Sequence, residues 1–144
     1  MTIPFTDEKG ETTELSVGQA MNRMYADPDP LVRKQLFENW EKEWTKYAPI
    51  FADTLNHLDG YRITLQKAHG RENHLEEPLE YNRMSKATLD AMWGAVAANK
   101  EPFIQFLNRK AQLLGMEKLG WQDVDAPVTV GDAKPTRYTY DDAC

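Results

Sequence analysis

The chain has 144 residues, 41% of them apolar, and carries 17 basic and 23 acidic side chains for a net charge of −6. With a mean hydropathy of −0.67, it has no apolar run near the roughly 18 residues that a membrane-spanning helix needs. The acidic balance argues against a nucleic-acid partner, which would want a basic face.

The length suits one domain with a moderate core. The first residues, MTIPFTDEKGE, lack the basic and apolar regions of a signal peptide, so a cytoplasmic location is expected. Cys144 is the one cysteine and the last residue, so no internal disulfide forms. A terminal thiol has no framework to orient it as a nucleophile.

Ile3 to Leu15 places apolar residues on either side of the polar turn DEKG, where Gly10 is able to take a positive φ. The pattern reads as a β-hairpin or an irregular arm over residues 1–15. Two strands alone are marginal, so a hairpin here needs another surface to lie on. Ser16 and Gln19 have the spacing of a capping box and open a helix to about Tyr25, with Val17, Ala20, Met21 and Met24 on its apolar face. Asp27-Pro28-Asp29-Pro30 stops it.

The dominant stretch runs from Pro30 to His69. Phe37, Trp40, Trp44, Tyr47, Phe51, Leu55, Leu58, Tyr61 and Leu65 recur at steps of three or four, which is one apolar stripe on a helix. Asp29 suits the N-cap, Pro30 the first turn and Gly70 the residue past the end. Unbroken, the helix would be roughly 60 Å long, too long for a small globule to surround. Pro49 predicts a kink. The stripe keeps its phase across it, so a bent continuous helix is expected, the alternative being two helices meeting near Tyr47–Pro49. Gly60 is a second weak point, where another helix is able to approach closely.

Residues 70–84 read as a charged connector that Pro78 keeps from being helical. Ser85 opens the next helix, with Leu89, Met92, Trp93 and Val96 on one face, ending near Asn99–Lys100. Pro102 begins another, through Phe103, Phe106, Leu107, Ala111 and Leu114 to Gly115. The short link predicts a helical hairpin. From Lys118 the periodicity stops, and residues 118–139 read as an extended loop with a short strand at Val128–Val130. Thr139 followed by Tyr140, Asp141 and Asp142 is how a helix begins, or is an acidic tail. The basic pairs Arg33–Lys34 and Arg109–Lys110 read as solvated helix faces.

Chemistry-bearing motifs are sparse. His57, His69 and His74 lack the four-residue spacing of a helical zinc pair. Glu76–Glu77 and Asp141–Asp142 are neighbours in a polar context, without the contrasting environments that an acid–base pair needs. No GxSxG, GxGxxG or P-loop occurs.

Five blocks carry a resemblance. Phe51-Ala52-Asp53-Thr54-Leu55-Asn56-His57-Leu58-Asp59-Gly60-Tyr61-Arg62 resembles the FA-x-x-LN-x-x-x-G-x-R segment of the oligoendopeptidase F family of zinc metallopeptidases, which are of the thimet-oligopeptidase type. Leu75 to Ser85 is similar to its L-E-x-x-L-x-x-NRMS segment, and Lys110 to Gly115 to its KA-x-LLG. Trp121 to Pro127 resembles W-x-D-x-x-AP, and Tyr138 to Ala143 resembles Y-x-Y-x-x-A. The blocks occur in the family's order, and the resemblance as a whole runs from about residue 2 to residue 143.

The resemblance implies a mainly helical fold, which agrees with the all-α reading of the elements above: one long kinked helix, a helical hairpin and a small N-terminal β-hairpin. It implies that residues 1–144 form a single partial domain, an internal segment of a larger peptidase that hydrolyses peptide bonds of oligopeptides. The parent's zinc would be held by HExxH and a downstream glutamate, with the motif glutamate activating the metal-bound water. None of those residues is present, so no catalytic or metal-binding residue, and no cofactor, is assigned to this chain. The expected partners are the rest of the parent chain and its oligopeptide substrate, with no nucleic acid or membrane. Tyr61, Arg62 and Arg83 lie within the matched blocks and are the candidates to face substrate; hydrogen bonding to neighbouring helices is the favoured reading, since buried polar groups need partners. The long stripe should normally bury against other helices, so self-association through it is expected. The alternative is a stand-alone helical module that binds a protein or peptide.

Overall fold

The computed structural model describes residues 1–131 and 139–144. It is mainly helical, with a small antiparallel sheet at the N-terminus. Where the length suggests one domain, the chain groups into two compact units. One joins Met1–Trp40 to Ile104–Cys144, and the other is Glu41–Phe103.

The first unit holds the core. Strands β1 (Thr2–Thr6) and β2 (Thr12–Ser16) pair with Ile3 opposite Leu15 and Phe5 opposite Thr13. Their turn is closed by Asp7, whose Oδ1 accepts from the Lys9 and Glu11 amides at 2.9 Å, and Gly10 takes the expected positive φ of 81°. Ile3 and Phe5, two apart, point to one side, as strand alternation requires. They are buried with Ala20 and Met24 of α1 (Val17–Ala26) and Leu36 of α2 (Pro30–Thr45). These two helices are the surface that the hairpin needs. Polar contacts pin it there: Gln35 Oε1 accepts from the Thr6 amide at 3.0 Å, and Asn39 Nδ2 donates to Pro4 O at 2.7 Å.

The capping box forms as predicted. The Gln19 amide donates to Ser16 Oγ at 3.2 Å and the Ser16 amide donates to Gln19 Oε1 at 2.9 Å. Asp29 Oδ1 accepts from the Leu31 amide at 2.8 Å and so opens α2.

The kink expected at Pro49 takes the form of a break, so the alternative of two helices holds and the continuous helix does not. Helix α2 ends at Thr45, residues 46–47 turn, and α3 runs Ala48–Ala68. The break moves Pro49 into the first turn of α3. There its missing N–H has no bond to lose, whereas mid-helix it would crowd a carbonyl one turn back.

Pro78 does the same in the connector, which is therefore not free of helix: α4 spans Glu76–Tyr81 with Pro78 in its first turn. Helix α5 (Lys86–Ala98) is capped by Ser85, whose side chain accepts from the Thr88 amide. Helix α6 (Glu101–Leu113) follows after Asn99 and Lys100 and crosses the boundary between the units at Phe103–Ile104. Both α3 and α6 end as predicted. Gly70 and Gly115 sit at φ 71° and 68°, each with the paired reverse hydrogen bonds of a left-handed cap.

No strand forms at Val128–Val130. A 3₁₀ turn at Trp121–Asp123 is the ordered part of that loop, and residues 132–138 lie outside the described set. Helix α7 (Tyr140–Ala143) starts at Thr139 with a capping box. The Thr139 amide and hydroxyl both donate to Asp142 Oδ2 at 2.7 Å, and they hold its carboxyl below the ordinary aspartate pKa.

Candidate functional site

Two places gather polar side chains, one in each unit. In the first unit, Arg33 and Asp123, 90 positions apart, form a fully buried ion pair, with 1% and 0% of their surface exposed. Arg33 Nε donates to Asp123 Oδ1 at 2.9 Å, and Nη2 lies 2.8 Å from the same oxygen. Arg33 Nη1 donates to the carbonyls of Asp27 and Pro28, both at 2.9 Å. Asp123 Oδ2 accepts from the Gly120 amide at 3.0 Å and Gln122 Nε2 at 3.1 Å. Both charged groups are thus well supplied with partners, which is the condition for burying an ion pair at tolerable cost.

This corrects the reading of Arg33 as part of a solvated basic face; Lys34 beside it is exposed. Lys110 is also engaged, its Nζ donating to Val124 O at 2.6 Å. The loop is tied down at Asp123 and Ala126, both buried, and α6 at Ala111. These three are fixed positions of the W-x-D-x-x-AP and KA-x-LLG blocks. The pair is structural: nothing in it is open to a ligand.

The second unit holds a cleft of about 860 Å³ between the C-terminal half of α3 and α4. Its walls include Tyr61, Arg62, Ile63, Leu65, His74 and Tyr81. Of the residues singled out in the sequence, Tyr61 and Arg62 meet there and Arg83 does not line it. Arg83 instead closes α4. It adopts φ 50°, the single described non-glycine residue with positive φ, and its amide donates to Glu80 O at 3.0 Å.

His74 joins the cleft because the turn after Gly70 folds back onto α3. The fold-back is held by Asn73, whose Oδ1 accepts from the Leu75 amide at 2.9 Å. Glu76 helps, its Oε1 accepting from the Glu72 and Asn73 amides at 3.1 Å. His74 stays exposed at the edge of the cleft.

A second hollow, about 410 Å³, adjoins the first through the shared Glu77 and Tyr81. Arg71 Nη2 lies 2.6 Å from Glu80 Oε2, and that hydrogen bond raises the guanidinium pKa further above its already high ordinary value. Gln66 Nε2 donates to Glu77 Oε2 at 3.4 Å.

The cleft can therefore offer apolar walls, two phenols, an imidazole, the Arg62 cation and the Asp59 and Glu77 carboxylates to a ligand. His57 lies on α3 with Nδ1 2.8 Å from Asp53 O, His69 caps the helix end, and His74 faces the cleft. Among the described residues, no three His, Cys, Asp or Glu side chains converge as metal ligands. The zinc ligands that the resemblance implies for the parent, HExxH and a downstream glutamate, are not among this chain's residues. No helix among the described residues is long and apolar enough to cross a membrane. Compared with known proteins, the chain matches no family model, no curated protein and no solved structure.

Proposed function

We propose that this chain is a structural helical segment of a cytoplasmic zinc metallo-oligopeptidase of the oligoendopeptidase F type, forming part of the wall around its substrate channel. By itself it neither holds the catalytic zinc nor cleaves peptides. The reading comes from the five ordered sequence blocks. The observation that carries it is the second unit, Glu41–Phe103, which contains no buried residue. Its apolar side chains are at helical spacing but exposed, among them Leu55, Leu58, Tyr61, Met92 and Trp93. Helices built this way normally pack an apolar face against a neighbour, and the remaining helices of a larger enzyme would supply one. In that setting Tyr61 and Arg62 would sit on the channel side.

The test is to read the source DNA past codon 144 and to assay the purified chain. An open frame running into an HExxH helix, with no peptide hydrolysis by the isolated chain, is the expected result. A stop codon at that point in the native gene would overturn the peptidase reading.

A second reading, a stand-alone helical module that binds peptides, is favoured by the cleft with its Arg62 cation and tyrosines. Fluorescence anisotropy of labelled oligopeptides with the purified chain, compared with its Arg62→Ala variant, distinguishes it.

A further inference from the structure

We infer that Glu72–Met84, the segment that folds back on α3, is a lid over the cleft. It swings as one piece about residues 71–72 and 84–85, and it closes by carrying Glu77 from Gln66 to Arg62. Closing takes the Arg62 cation away from any ligand in the cleft. This goes beyond the peptidase reading and does not rest on it.

The segment is self-contained. Glu76 Oε1 accepts from the Glu72 and Asn73 amides, and the Leu79 and Met84 amides donate to Leu75 O and Leu79 O, both at 2.9 Å. Among the described residues, no backbone hydrogen bond joins Glu72–Met84 to the rest of the chain. The bond from the Arg71 amide to Gln66 O ends one residue before it, and the Ser85 cap of α5 begins one residue after it. Backbone rotation at these two junctions therefore breaks no hydrogen bond.

Two side-chain contacts hold the segment down among the described residues. Gln66 Nε2 donates to Glu77 Oε2 at 3.4 Å, and Arg71 Nη2 to Glu80 Oε2 at 2.6 Å. The first is long for a hydrogen bond. The second uses a carboxylate whose side chain is 71% exposed, and exposed ion pairs hold little. Helix α4 has six residues, too few to be stable by itself, and its backbone does not pack closely on α3. The open cleft lies between them.

The two walls match. Helix α3 brings Tyr61, Arg62 and Leu65, and the segment brings Leu75, Glu77 and Tyr81. Tyr61 and Tyr81 are 65% and 83% exposed, so closing takes aromatic surface out of water, which favours it. Among the described residues, Arg62 makes no hydrogen bond or ion pair, even with Asp59 one turn away. Arg62 precedes Gln66 by four positions on the same face of α3, about 6 Å along the axis. Moving Glu77 by that turn exchanges a neutral partner for a charged one, and the charge-assisted hydrogen bond is the stronger.

The experiment uses the full chain in a Cys144→Ser background, spin-labelled at Thr64→Cys and Asn82→Cys, both exposed and outside the cleft walls. Pulsed dipolar distance measurements are expected to show two populations, open and closed. Arg62→Ala and Glu77→Gln should each lower the closed-to-open ratio by about 2- to 5-fold, the size of an exposed ion pair, with the circular dichroism unchanged. Added salt should lower it too. Arg62→Glu should lower it further, and Arg62→Glu combined with Glu77→Arg should restore it. Gln66→Ala, which releases Glu77, should raise it. A single distance that none of these changes moves, or a closed population that Arg62→Ala leaves intact, overturns the inference.

Discussion

The residues that matter most to stability are two whose importance depends on distant neighbours. Arg33 and Asp123 are fully buried, and each is held by the other and by further hydrogen-bond partners. Removing one partner strands the other as an uncompensated buried charge, which costs about 3–5 kcal/mol. Asp123→Ala should therefore lower the stability of the first unit by about that amount in urea unfolding. Arg33→Met combined with Asp123→Leu should recover most of the loss, because no stranded charge remains. If the single substitution costs no more than an exposed ion pair, about 0–1 kcal/mol, the pair does not anchor the loop. Ion pairs on the surface, such as Lys34–Glu38 and Lys86–Asp90, belong to that weaker class.

At the scale of elements, prolines and left-handed caps set the boundaries. Pro49 and Pro78 each fall in a first turn, and the helices begin where they do because that is where a missing N–H does no harm. The ends of α3 and α6 use glycine for the left-handed residue; α4 uses Arg83. An L-residue other than glycine pays for that conformation, by about 1–2 kcal/mol, partly offset by the lower unfolded-state entropy that a side chain brings. Arg83→Gly should thus stabilise the end of α4 by about 0.5–1 kcal/mol, read as slower hydrogen exchange of the Arg83 and Met84 amides. A faster exchange would mean that the arginine side chain contributes contacts that outweigh the backbone strain.

Across the whole molecule, burial is uneven. The first unit packs Ile3, Phe5, Ala20, Met24 and Leu36 into one cluster, whereas the second unit buries no side chain. Truncation should report this directly. Ile3→Ala is expected to cost about 2–4 kcal/mol, as buried aliphatic deletions do, while Leu55→Ala at dilute concentration should change stability by less than about 0.5 kcal/mol. Equal costs in chemical denaturation would show that α3 is covered in the monomer.

Local chemistry was legible in the chain itself. The hairpin turn, the Ser16–Gln19 and Thr139–Asp142 boxes, the Ser85 cap and the Gly70 and Gly115 ends all depend on residues within a few positions of one another, and short-range rules suffice for them. The stripe on α3 was legible for the same reason, since periodicity is local. What required tertiary structure was every property set by a distant partner. Arg33 reads as solvated until Asp123 arrives from 90 positions away. His74, still exposed, reaches the cleft only because the chain folds back on α3, and Tyr61 and Arg62 become a site only when α4 closes over one side. The choice between a kinked helix and a broken one was tertiary too. The pattern of apolar residues is satisfied by either, and only the positions of α2 and α3 decide that the proline begins a helix rather than bends one.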